Sequence, residues 1–135
     1  LLRRIGSEFV DRNDQGGRQR GARRVIKRAE QGHSLVFFPE GTFDEHAGLK
    51  RFHVGAFVAA ERGSMPVVPT IIHGARRAMP SKALLVRPGR ILVEFLTPLP
   101  ADGARPDALR EATRSLILAR LDEPDLAPTA RTRGD

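Results

Sequence analysis

The apolar positions of this chain change their period several times, and each change marks off an element. Leu35-Val36-Phe37-Phe38 is an unbroken apolar run that meets Pro39 at once. A short run of this kind fits a strand buried on both faces, as in a parallel sheet. Proline has no N–H to give to a ladder, so this strand is predicted to end there. Residues 65–72 form a second run of buried type, punctuated by Pro66 and Pro69. Between the two, residues 52–62 carry Val54, Phe57 and Val58 at helical spacing, and Gly63 closes the turn. Strand, helix and strand in that order predict a βαβ unit with a right-handed crossover.

The flanking stretches extend the same alternation. Residues 18–31 place Ala22, Val25, Ile26 and Ala29 on one stripe among Arg, Lys, Glu and Gln, which predicts a surface helix ended by Gly32. Residues 90–96 alternate Ile91, Val93 and Phe95 with Leu92, Glu94 and Leu96, a strand near the sheet edge that Pro98 and Pro100 break. A last helix is predicted over 106–121, with Pro106 in its first turn and Leu109, Ala112, Leu116 and Ile117 inward. At the other end, residues 1–6 read as a helix tail closed by Gly6, and residues 7–11 as a short strand. Residues 13–17 and 44–51 are loops by residue type. The segment 75–89 is basic and irregular, and within it 83–86 is either a short strand or an apolar surface loop. The sum is an α/β fold, a mixed and largely parallel sheet with flanking helices. It forms one domain over residues 1–123, followed by a Pro-, Thr- and Arg-rich tail over 124–135 that is expected to be disordered.

Composition narrows the chemistry. The formal charge is +7, and 20 of the 23 basic residues are arginine, a bias that suits bidentate recognition of phosphate or carboxylate and equally follows from a GC-rich coding sequence. A basic surface attracts nucleic acid, anionic lipid or a small phosphorylated substrate. Tyr and Trp are absent, which counts against a base-stacking surface, although Phe remains. The chain has no cysteine, so disulfides, thiolate nucleophiles and cysteine metal sites are excluded. His46 and His53 with Asp44 and Glu45 match no established metal-ligand spacing. Gly32-His33-Ser34 begins like a nucleophile elbow, but Val36 stands where that motif needs glycine. No phosphate-binding Gly-x-x-x-x-Gly-Lys stretch occurs.

Glu40, Gly41 and Thr42 follow the first buried-type run directly, at the carboxyl edge where open α/β sheets bind ligands. The same residues also read as an ordinary Pro-Glu-Gly turn. Two further clusters shift the balance, Gly6 to Arg12 and Val68-Pro69-Thr70-Ile71. Gly6, Phe9, Val10, Asp11 and Arg12 match a Gly-x-x-Phe-Ile-Asp-Arg block with one conservative change. Phe38-Pro39-Glu40-Gly41-Thr42 matches a Phe-Pro-Glu-Gly-Thr block without change, and Val68-Pro69 opens a Val-Pro-Val block with Thr70 in third place.

In this order and spacing, the three blocks resemble those of the glycerolipid acyltransferase family, and the likeness runs to about Leu99. The resemblance implies acyl transfer from acyl-CoA or an acyl-acyl carrier protein to a lysophospholipid such as 1-acyl-sn-glycerol 3-phosphate, in phospholipid biosynthesis. It implies no cofactor and no metal. The expected place is the cytoplasmic side of a membrane, peripheral or anchored through segments outside this chain.

The first two blocks are associated in that family with the acyl acceptor. Arg12 would grip the substrate phosphate with two parallel hydrogen bonds, or else pair with Asp11 or another neighbouring carboxylate. Glu40 would hold an arginine or accept from a glycerol hydroxyl, while Gly41 and Thr42 offer donors to phosphate oxygens. Gly6 and Asp11 belong to the same acceptor site. Phe38, Pro39 and Pro69 would shape the pocket. Phe43 stands where Arg or Ser commonly follows the threonine. Lys50 and Arg51 would replace the lost ligand or simply line a solvated loop.

The family's His-x-x-x-x-Asp block, general base and orienting aspartate, has no match here. None of His33, His46, His53 or His73 has an aspartate five positions on. The chain also opens on Leu1 within what reads as a helix end, so it is expected to be a fragment whose catalytic pair lies upstream, and to be inactive alone. Residues 18–28 and 76–90 present basic faces for anionic lipid or for water. A degenerate lipid-binding module and, further off, a nucleic-acid binder are the competing readings.

Overall fold

Six short elements organise the part of the chain that the computed structural model describes, residues 15–41, 47–79, 85 and 87–127, with backbone alone over 15–18. In chain order they are α1 (Gln15–Glu30), α2 (Gly55–Arg62), β1 (Thr70–His73), the single-turn α3 (Ala75–Ala78), β2 (Leu92–Phe95) and α4 (Pro106–Leu118). No helix among the described residues is long and apolar enough to cross a membrane. The predicted helix tail over 1–6 and strand over 7–11 lie outside the described residues, as do three residues of the loop 44–51 and most of 83–86.

α1 carries three glycines but is otherwise mostly Arg, Gln, Ala, Lys and Glu, good helix formers, and Lys27 and Arg28 in its last turn meet the negative end of the helix dipole. Its inward stripe differs from the predicted one. Gly21 and Ala29 are buried and Val25 is half-buried, four residues apart in each step, whereas Ala22 faces solvent. α2 starts at Gly55, with Val54 as its N-cap, so Phe52 stands before the helix. The Phe52 ring packs almost parallel to that of Phe57, centroids 6.4 Å apart. In α4, Pro106 occupies the first turn and Asp107 lies near the positive end of the dipole. Its buried face is Leu109, Thr113, Arg114 and Ile117, while Ala112 is exposed. The Thr113 hydroxyl donates to the Leu109 carbonyl at 2.7 Å, which satisfies it inside the helix. Leu49, Phe52, Phe57, Ile71, Ala101, Leu109 and Ile117 form one continuous core.

The sheet differs from the largely parallel one expected. Among the described residues it has two strands, β1 and β2, paired antiparallel with Thr70 opposite Phe95 and His73 opposite Leu92. Val67 and Leu99 extend the pairing, exchanging N–H···O bonds of 2.9 and 2.8 Å. Three steps from Val67 to Thr70 face four from Phe95 to Leu99, so the second strand carries a one-residue bulge. The bulge lies where Pro69 has no N–H to offer. Pro69 is buried, and its carbonyl still accepts from Leu96 N–H at 2.9 Å.

The first apolar run is no strand here. Residues 33–38 carry no regular structure and join no ladder among the described residues, so the βαβ unit is not found among them. Val36 is 87% exposed and Phe38 76%. An apolar run acquires strand geometry and burial only from neighbouring strands and a covering layer, and no described residue supplies either.

Residues on both sides of the boundary expected at 123 bond to the loop 48–50. Leu49 N–H donates to the Pro124 carbonyl at 2.9 Å, and Leu126 N–H donates back to the Leu49 carbonyl at 3.0 Å. Residues 123–126 therefore form a strap beside the loop 48–50, with Leu49 and Asp125 paired in parallel. Residues 128–135 lie outside the described part.

Candidate functional site

Phe38, Pro39, Glu40 and Gly41 form a tight turn closed by Gly41 N–H to the Phe38 carbonyl at 3.1 Å. Proline at the second position presets the backbone, and Gly41 leaves the turn at φ +77°, where a side chain would be strained. The residues form the turn of the second reading, and Glu40 follows its proline. Glu40 is half-buried. Its Oε2 accepts from Lys50 N–H at 2.9 Å, and the Pro39 carbonyl accepts from His53 N–H at 2.8 Å. Two backbone amides of the loop 50–53 thus fix the turn, leaving Glu40 Oε1 as the oxygen that a second donor would use. The backbone of Lys50 reaches Glu40, while Arg51 is exposed.

Of the predicted site residues, the described structure places Phe38, Pro39, Glu40, Gly41 and Pro69. Gly6, Asp11, Arg12 and Thr42 lie outside the described residues, as do Phe43, Asp44, Glu45 and His46. Among described residues no group of three or more His, Asp or Glu is arranged to hold a metal ion. His73 contacts Glu94 across the sheet, Nε2 to Oε2 at 3.2 Å, with Arg120 Nε 3.6 Å from the other Glu94 oxygen.

Behind the turn stands a set of charged groups that the apolar pattern did not reveal. Arg114 is 7% exposed, and all three nitrogens of its guanidinium are bonded. Its Nε donates to the Lys50 carbonyl at 3.0 Å and its Nη2 to the Leu49 carbonyl at 2.8 Å. Nη1 donates to Asp125 Oδ2 at 3.0 Å, and Nη2 also reaches Asp125 Oδ1. The bidentate pair with Asp125 raises the guanidinium's pKa further against the opposing effect of burial. The same pair, with Ala127 N–H at 2.8 Å, holds the Asp125 carboxyl below its ordinary value. Glu123 ties a second edge of the loop. Gly48 N–H donates to its Oε2 at 2.7 Å, and Arg76 from α3 donates to its Oε1 at 2.7 Å. Burial pushes the Glu123 carboxyl up, but these two donors outweigh it and leave it lowered.

Gly48 fits under the strap because it lacks a side chain. A Cβ there would lie 2.5 Å from Leu126 Cγ and 2.8 Å from the Pro124 carbonyl, and its φ of +138° disfavours other residues. The signal for Arg114 was present in the sequence, since it shares a helical face with Ile117 and buried cations are paired. Asp125 follows just beyond the helix end.

Arg24, Lys27 and Arg28 on α1, with Gln31 and His33 beyond the helix, line an open hollow of about 430 Å³. Its positive lining suits an anion.

The Acyltransferase family model matches residues 1–73, more than half of the chain. The chain belongs to the acyltransferase family. It is 31% identical to the chloroplastic 1-acyl-sn-glycerol-3-phosphate acyltransferase of Arabidopsis thaliana over 74% of this chain and 28% of that protein. It is 28% identical to the Haemophilus influenzae 1-acyl-sn-glycerol-3-phosphate acyltransferase over 78% of this chain and 44% of that protein. The fold superposes with a TM-score of 0.76 on the crystal structure of the 1-acyl-sn-glycerophosphate acyltransferase PlsC from Thermotoga maritima. That match has 20% identity and covers 90% of this chain and 48% of PlsC. The acyltransferase chain thus spans less than half the length of these relatives. Its architecture is the mixed α/β fold of PlsC, of which the described residues contribute two antiparallel strands.

Proposed function

We propose that this chain supplies the acceptor half of an enzyme that moves a fatty acyl group onto 1-acyl-sn-glycerol 3-phosphate. The Glu40 turn carries this reading. It is a carboxylate presented beside a glycine turn and fixed by Lys50 N–H, within a chain of the acyltransferase family. Arg12 would take the acceptor phosphate and Thr42 would add a donor, while the Gly41 N–H expected to help is used in closing the turn. Glu40 would hold that arginine or accept from the glycerol hydroxyl through its remaining oxygen.

In the reaction the acceptor hydroxyl attacks the thioester carbonyl, an ester bond forms, and the carbon–sulfur bond breaks. A histidine of a His-x-x-x-x-Asp block encoded before Leu1 takes the hydroxyl proton and passes it to the departing thiolate. The donor is acyl-CoA or an acyl-acyl carrier protein. The basic hollow on α1 would lie against anionic lipid at the cytoplasmic face of a membrane. No nucleic acid takes part.

Extending the reading frame upstream should reveal the His-x-x-x-x-Asp block within a few tens of residues. Its absence would move the degenerate, lipid-binding reading to the front. In the enzyme that carries the block, Glu40→Ala and Arg12→Ala should each abolish most acyl transfer while melting as wild type does. Wild-type rates in either variant would place the acceptor elsewhere.

A further inference from the structure

We propose that Arg114 is a positioning residue for the acyl acceptor, acting on Glu40 through the loop 48–50. The inference rests on the acceptor-site reading of Glu40 and extends it to a helix that none of the three motif blocks includes.

The chain of contacts is short and complete. Arg114 rises from α4 and grips two consecutive carbonyls, Leu49 at 2.8 Å and Lys50 at 3.0 Å. Those carbonyls fix the peptide planes on either side of Lys50, and the N–H of that residue is the donor that holds Glu40 Oε2 at 2.9 Å. The Leu49 carbonyl shares its peptide plane with the Lys50 N–H, so rotating that plane would swing the N–H away from the carboxylate, and the bond to the Lys50 carbonyl holds the next plane in place. Asp125, itself exposed, clamps the far side of the guanidinium, so Arg114 cannot change rotamer without giving up a bidentate pair. The strap adds Gly48 N–H to Glu123 at 2.7 Å and Leu126 N–H to the Leu49 carbonyl at 3.0 Å. Each of these bonds restrains the loop, but only the Lys50 amide touches the motif carboxylate. A catalytic or binding carboxylate is useful only when held within a fraction of an ångström of its working position, and surrounding groups supply that restraint. The loop has no regular structure of its own to do this. A buried guanidinium with five donors in a fixed fork is suited to the task, whereas lysine would reach at most part of it.

A double-mutant cycle in the enzyme that carries this chain separates positioning from general stability. The variants are Arg114→Gln, Glu40→Gln and the pair, with Asp125→Asn as a milder release of the clamp should Arg114→Gln fail to fold. Steady-state rates are taken against 1-acyl-sn-glycerol 3-phosphate and, separately, against the acyl donor. Arg114→Gln is expected to lower kcat/KM for the acceptor about 10-fold and leave KM for the donor unchanged. In the Glu40→Gln background it should cost almost nothing further. Asp125→Asn should move the same acceptor parameter in the same direction by less, and Arg114→Lys should recover part of it.

Additive losses in the double variant, or equal losses toward donor and acceptor, would overturn the positioning role and leave the acceptor-site reading intact. A Glu40→Gln enzyme with wild-type acceptor kinetics would overturn that reading, and this inference with it.

Discussion

The Phe38–Gly41 turn and the strap at residues 123–126 are built on opposite plans. The turn follows three exposed or part-exposed apolar residues, and its shape comes from proline, glycine and two amides borrowed from the loop 50–53. The strap has little apolar content, yet its charged side chains are matched group for group by Arg114, Arg76 and the amides of Gly48 and Ala127. Among the described residues no buried side-chain polar atom lacks a partner. The contrast shows where the precision of the candidate site originates. The residues with recognisable chemistry are the less anchored ones, and the anchoring is done from the end of the chain.

That contrast can be broken by removing the anchor. Arg114→Gln strands the carbonyls of Leu49 and Lys50 without their charged donor, so unfolding free energy measured in urea should fall by about 2 kcal/mol. A loss under about 0.5 kcal/mol would mean that water replaces the guanidinium and the strap is ornamental. Gly48→Ala should cost about 1–2 kcal/mol, because the added methyl meets Leu126 and the Pro124 carbonyl on a backbone suited to glycine.

Acid gives a graded version of the same test. Glu123 and Asp125 both have carboxyl values lowered by folding. Their stabilisation is therefore fully present above the ordinary carboxylate range, near 4, and is lost as pH falls through the lower folded-state values. Amide exchange at Gly48 and Leu126 should accelerate as pH drops below about 4, after correction for intrinsic rates. Equal protection at pH 5 and pH 3 would remove these carboxylates from the account. The smallest effect is expected on the other side of the comparison. Val36→Ser in this chain should change stability by less than about 0.5 kcal/mol, since the side chain is 87% exposed. A loss of 2 kcal/mol or more would restore the buried strand that the apolar pattern predicts.

The helices were legible from the periodicity of their apolar residues. α1, α2 and α4 lie close to the predicted spans, and Pro106 begins α4 as its place in the pattern suggests. The strand at 70–73 and its partner at 92–95 were legible too, because β-branched and aromatic residues cluster there. Their antiparallel pairing was not, since strand order depends on which neighbours the rest of the chain brings alongside. The run at 35–38 shows the same limit, for apolar character states what a segment would bury and not whether a partner is present. In the candidate site, the Pro39-Glu40-Gly41 turn was legible from its residue types. Glu123 and Asp125 were not, and the signal for Arg114 was no more than the helical face it shares with Ile117. A charge on a helix looks solvated until the tertiary fold supplies its partners, and the polar, proline-bearing composition around Asp125 resembles that of a loose tail.

The most direct test of the acceptor site is a crystal structure of the enzyme that carries this chain, soaked with 1-acyl-sn-glycerol 3-phosphate. The Arg12 guanidinium should bond the phosphate, with the Glu40 carboxylate beside it and still held by Lys50 N–H. A phosphate bound elsewhere, with Arg12 and Glu40 on opposite faces of the molecule, would contradict the assignment outright.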